Sequence, residues 1–224
     1  MNLSIALPNA DREEVANTLT HGIGGVFAVI GTIVLLIAAS ASRTSYALTA
    51  CAVYGVTMIT LYVASTLYHG AGIVRTHGVA PVRPRLRAFD HIAIFLLIAG
   101  TYTPYVLIAL RGPWGWSLFA IVWALAAVGA VFELTSLRRY RNAMIALYIG
   151  MGWCGIVAIQ PLVRTIAAPG LWLLIGGGAV YTLGVVFYKM KSLRYHHAIW
   201  HLFVFVGGAL QYFSILHYVI LAHA

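Results

Sequence analysis

Seven runs of mostly apolar residues, each long enough to cross a bilayer, dominate this sequence: Ile23–Ser40, Tyr46–Tyr68, Phe89–Leu110, Trp114–Phe132, Ala143–Val163, Leu171–Tyr188 and Ala198–Ala222. About 20 such residues span the hydrocarbon core as an α-helix, which satisfies every backbone polar group inside the segment. The runs are continuous, whereas membrane β-strands alternate apolar and polar positions. Of 224 residues, 62% are hydrophobic and only 8% charged, with a mean hydropathy of +0.90. A soluble domain of this size has too little interior to hide that much apolar surface. Soluble globular proteins, disordered chains and secreted disulfide scaffolds are thereby excluded. The expected fold class is an all-α integral membrane protein: one seven-transmembrane-helix bundle over residues 1–224, preceded by a polar segment over about residues 1–20.

The connections between runs are short, and only Gly70–Arg87 is long enough to hold structure of its own. Glycines inside the fifth run (Gly150, Gly152, Gly155) and the sixth (Gly176, Gly177, Gly178) point to close helix packing. Pro104 and Pro161 interrupt the third and fifth runs, where membrane helices tolerate proline. Cys51 and Cys154 lie in separate apolar runs without a CxxC pair, so sulfur ligation of a metal is not expected. The chain begins polar (Asn9, Asp11, Arg12, Glu13, Glu14), so no cleavable signal peptide is expected.

The net charge of +9 comes from 14 Lys+Arg against 5 Asp+Glu. In a soluble chain that excess points to nucleic acid. Here the basic residues cluster between apolar runs, the pattern of membrane topology, and no nucleic-acid partner is expected. Arg12, Arg75, Arg83, Arg85, Arg87, Arg138, Arg139, Arg141, Lys189, Lys191 and Arg194 belong to one set of connections, and Arg43, Arg111 and Arg164 to the other. The richer set belongs in the cytoplasm. The N-terminus is therefore expected in the cytoplasm and the C-terminus outside.

With that orientation, the ionisable residues at the run ends collect on the cytoplasmic side. His21 opens the first run, Ser65 and His69 close the second, Asp90 and His91 open the third, Glu133 closes the fourth, and His196, His197 and His201 open the seventh. Ionisable groups inside membrane spans are costly and point to function. Ser65 and His69 are four apart and share a helix face, as do His197 and His201. Two histidines at that spacing can point at one metal ion. With His69 at the same depth, three imidazoles leave one position open, the pattern of catalytic zinc. Asp90 there can hold a water or act as its base.

Plainer readings exist for each residue. An interfacial histidine also serves as an amphipathic anchor. Ser65 can bond its own helix backbone, and Asp90 can complement a helix dipole. His196 and His91 face away from their neighbours His197 and Asp90 and read as interfacial. His217 and His223 lie toward the other side, and His77 sits in a basic loop. His21 reads as a solvated helix start, and Glu133 as the partner of a base.

Five stretches, THGIGG (Thr20–Gly25), STLYHG (Ser65–Gly70), FDHIAIFLLIAGTYTPY (Phe89–Tyr105), YTLGVVFY (Tyr181–Tyr188) and HAIWHLFVFVGG (His197–Gly208), resemble the bacterial hemolysin III family within the progestin and adipoQ receptor superfamily. The resemblance runs nearly end to end. It implies seven membrane helices, a cytoplasmic N-terminus and residence in the bacterial inner membrane. In the adiponectin receptors of that superfamily, three histidines bind zinc near the cytoplasmic side, and an aspartate of the third span holds a water at the ion. Those positions match His69, His197, His201 and Asp90, with Ser65 matching the serine of the first motif. A further likeness to alkaline ceramidases suggests hydrolysis of lipid amides, by analogy of fold.

The reading that follows is an intramembrane zinc hydrolase. Zn2+ sits on His69, His197 and His201, Asp90 and Ser65 are catalytic, and a membrane lipid is the substrate or ligand. The alternative is a non-enzymatic membrane-homeostasis or receptor-like protein with structural zinc. A pore-forming hemolysin ranks below both, because the chain is too apolar to be soluble before insertion and lacks a polar stripe for ions. A retinal pump needs a lysine inside a span, and Lys189 and Lys191 lie at a span end.

Overall fold

A computed structural model describes residues 9–74 and 82–223, without the side chains of residues 9, 10 and 223. Arg75 and His77, and the side chain of His223, lie outside the described residues. Every element among the described residues is helical, and seven helices are long and apolar enough to cross a membrane. In chain order they are α1 (Asn9–Ser40), α2 (Ala47–Ile73), α3 (Arg83–Leu110), α4 (Gly112–Leu134), α5 (Arg141–Thr165), α6 (Ala168–Lys189) and α7 (His196–Ile220).

Each expected run lies within one of these helices almost entirely, but several helices overrun it. α1 starts at Asn9 rather than Ile23, α2 continues to Ile73, and α3 starts at Arg83. Residues 9–20 of the expected polar lead are thus the first turns of α1. Asp90, expected in the first turn of α3, sits two turns in, too deep to cap that helix. Hydropathy marks only the part of a helix that lies in hydrocarbon, so the overruns carry no hydropathy signal.

Side-chain contacts define the two ends of the bundle. At the basic end, Glu14 at the start of α1 pairs with Arg83 at the start of α3. There too, Glu133 at the end of α4 lies 3.8 Å from Arg87 and 3.2 Å from His91 Nδ1. At the opposite end, Arg111 donates to Thr44 Oγ1 at 2.9 Å, and Ser214 donates to the Gly170 carbonyl at 2.7 Å.

The two spans with a proline in their interior are irregular, each in its own way. Proline has no N–H and crowds the carbonyl four residues back. After Pro104, α3 widens into a π-helical turn over Tyr105–Leu110. Before Pro161, α5 tightens into a 3-10 turn over Cys154–Ala158, which contains the crowded carbonyl of Val157. Of the glycines expected to allow close packing, Gly177 does so: a Cβ there would lie 2.9 Å from the Gly207 carbonyl oxygen of α7. Gly150 and Gly152 face open space instead.

Candidate metal centre

α2 and α7 meet at the basic end and bring three imidazoles together. One ring nitrogen each from His69, His197 and His201 lies within 4.8 Å of the others. His69 and His201 are buried, and His197 is half-buried. The HxxxH spacing works as the helical period requires: His197 and His201 sit one turn apart, with ring centroids 4.6 Å apart. The Nε2 atoms of His69, His197 and His201 are all buried without a hydrogen-bond partner. A buried imidazole nitrogen with nothing to bond is costly, and three rings that each carry one and lie this close together form a donor set that suits a divalent metal.

The remaining nitrogens are held from behind. His69 Nδ1 lies 2.6 Å from Glu14 Oε2, and Arg83 binds the other Glu14 oxygen. His201 Nδ1 lies 3.1 Å from Thr20 Oγ1. Metal-binding histidines generally have such partners on the nitrogen that faces away from the ion. Glu14 and Thr20 escape a reading of the sequence, because their partners lie 55 and 181 residues away.

His21 corrects the expectation of a solvated helix start. It is 2% exposed, because α1 begins twelve residues before it. Its ring stacks on His201 at 3.5 Å and meets Tyr62 edge-on. Glu133 does pair with bases, but with Arg87 and His91 of α3 rather than with the Arg138–Arg141 cluster. His91 is therefore bonded as well as interfacial.

Asp90 lies where two cavities meet. A cleft of ≈ 830 Å³ at the basic end is lined by His69, His197, Asp90 and Glu133 among others. A second cavity of ≈ 190 Å³, walled mostly by apolar side chains, runs from Asp90 to Leu110 near the other end. Asp90, Ile94, Tyr148, Val185 and Trp200 border both. The buried Ser65 hydroxyl faces the Asp90 carboxyl without a full hydrogen bond to it. The arrangement joins a polar entrance, a metal-ready histidine cluster and an acidic group at the basic end to an apolar cavity that reaches toward the opposite end.

The Haemolysin-III related family matches residues 10–212 of this chain. The chain belongs to that family. It is 45% identical over 209 residues to Hemolysin-3 of Bacillus cereus, covering 93% of each chain. It is 39% identical over 207 residues to the Hemolysin-3 homolog of Bacillus subtilis, covering 92% of this chain and 94% of that one. The human monocyte to macrophage differentiation factor is 28% identical over 207 residues, which cover 92% of this chain and 84% of that protein. These relatives bear out the resemblance carried by the five motifs. The protein is a multi-pass membrane member of the haemolysin-III-related family.

Proposed function

We propose that the protein is an intramembrane zinc-dependent hydrolase of lipid amides or esters, with its active site near the cytoplasmic face of a bacterial inner membrane. The observation that carries this reading is the cluster of three imidazoles with buried, unpartnered nitrogens beside a cleft whose Asp90 also borders an apolar cavity. The cytoplasmic placement follows from the basic residues gathered at the same end.

His69, His197 and His201 are the residues that hold zinc. A zinc ion there would supply Lewis acidity and would lower the pKa of a water toward ~7. Asp90 accepts the proton of the attacking water, for which its place on the border of both cavities suits it. The Ser65 hydroxyl, buried and uncommitted, donates to the carbonyl oxygen as negative charge builds on it. The acyl chain of the lipid occupies the apolar cavity, and its polar head faces the larger cleft. That apolar lining speaks against an ion-conducting pore.

The test begins with metal content per chain in detergent-purified protein, beside a His197→Ala/His201→Ala variant. About one zinc per chain, absent from the variant, supports the site. Absence of metal from both proteins after purification without chelator removes the hydrolase reading. Asp90→Asn is then expected to keep its zinc and to lower hydrolysis of a ceramide or ester substrate by about 10²- to 10⁴-fold. Full function in Asp90→Asn would assign the zinc a structural role instead.

A further inference from the structure

The first turns of α1 touch the histidine cluster at several points, and these contacts fall on two neighbouring stripes of the helix. Glu13 and Thr20 are seven residues apart and lie on one stripe, and Glu14 and His21 on the next. The first stripe faces α7. There Thr20 Oγ1 lies 3.1 Å from His201 Nδ1, and Glu13 Oε1 accepts the Tyr195 N–H at 3.3 Å. Tyr195 has a left-handed φ of 58° and immediately precedes α7, so Glu13 holds the turn that launches the helix bearing His197 and His201. The second stripe faces α2 and the rings. Glu14 binds His69, and His21 stacks on His201.

The hydrogen-bond donors can be counted at each contact. The single Thr20 proton is committed to the carbonyls of Ala16 and Asn17, both at 2.9 Å. With that proton so used, its oxygen accepts from His201, an arrangement that favours the imidazole proton on Nδ1 and leaves Nε2 with a free lone pair. The Glu14 carboxylate, held by Arg83 on its other oxygen, is likewise an acceptor, so His69 carries its proton on Nδ1 too. In both rings the nitrogen left bare is the buried, unpartnered Nε2.

We infer that residues 13–21 of α1 are the outer layer of the metal centre, with Glu14 and Thr20 as positioning residues that set the tautomer and ring orientation of His69 and His201. The inference rests on the zinc reading above, but it adds a helix that supplies none of the ligands. Removing such a partner weakens metal affinity by about 10- to 100-fold in known sites.

The test is zinc affinity by chelator competition on the full-length protein in detergent, with cobalt substituted for zinc to read ligand geometry from its absorption bands. Thr20→Val keeps the side-chain shape and is expected to bind zinc about 10- to 100-fold more weakly, with shifted cobalt bands. Thr20→Ser is expected to restore both. Glu14→Ala is expected to match Thr20→Val, and Glu14→Gln, which keeps the shape should Glu14→Ala not fold, to fall between it and wild type. Ser214→Ala breaks a buried bond at the opposite end and is expected to lower thermal stability while leaving zinc affinity unchanged. Wild-type affinity in both Thr20→Val and Glu14→Gln overturns the inference alone. An equal loss in Ser214→Ala also overturns it, because the effect is then general destabilisation. Failure of the wild-type protein to bind zinc overturns this inference and the zinc reading together.

Discussion

α3 and α5 are both apolar spans with an interior proline, of 28 and 25 residues, yet 72% of the most apolar stretch of α3 is buried and only 17% of that of α5. α3 lies at the centre. It packs along α2 and α4, holds Asp90 between the two cavities, and is pinned at the basic end through Arg87 and His91 to the buried Glu133. α5 lies at the rim and is held by a few polar hooks. Tyr148 donates to the His91 carbonyl at 3.0 Å, and Trp153 donates to Thr182 Oγ1 at 2.9 Å. Tyr102 of α3 grips the irregular turn of α5 from both sides, donating to the Gly152 carbonyl at 2.7 Å and accepting the Gly155 N–H at 2.9 Å. In lipid, apolarity gives no drive for helices to associate, so burial follows from close steric fit and hydrogen bonds. Hydropathy says that a segment crosses the membrane, and small residues and polar pairs say which neighbours it keeps.

Gly100→Leu in α3 is expected to be the most damaging change to this contrast. A Cβ at Gly100 would lie 2.9 Å from Thr57 Cβ of α2, and overpacking of this kind costs about 3 kcal/mol. A loss of folded protein or a large fall in thermal midpoint in detergent checks it, and near-normal stability would undo the assignment of α3 as the packed centre. Glu133→Ala is expected to cost about 2 kcal/mol, below the range for fully buried pairs because Arg87 and His91 are partly exposed. Thermal melts beside Glu133→Gln measure it. Tyr102→Phe removes both bonds to α5, at about 1 kcal/mol each. Faster amide exchange over residues 148–158, with α3 unaffected, is the expected signature. Gly152→Ala, whose new methyl meets nothing within 4 Å, is expected to stay within about 0.5 kcal/mol of wild type.

The spans themselves were plain in the sequence, because twenty apolar residues in a row have few other uses. The gathering of Ser65, His69, Asp90, His197 and His201 at one end was also legible, since span counting fixes which ends of which helices are neighbours. Depth and second partners were not. His21 looked solvated because no membrane-length apolar run precedes it, yet it is buried against His201 and Tyr62. Glu14 looked like part of a polar lead, although its carboxylate bonds His69 Nδ1. The rim position of α5 was hidden by the glycines Gly150 and Gly152, which resemble packing residues and face open space. Each of these depends on which helix lies alongside, and no local pattern encodes that.

The histidine cluster closes a ring in the chain. His69 and its partner Glu14 belong to the first two helices, whereas His197 and His201 belong to the last. During synthesis the growing chain therefore carries one of the three imidazoles through most of its insertion, and acquires the other two only as the final helix leaves the ribosome. Every chain cut short before residue 197 lacks the pair, so the assembled cluster is a molecular record that translation and insertion have run to the seventh helix.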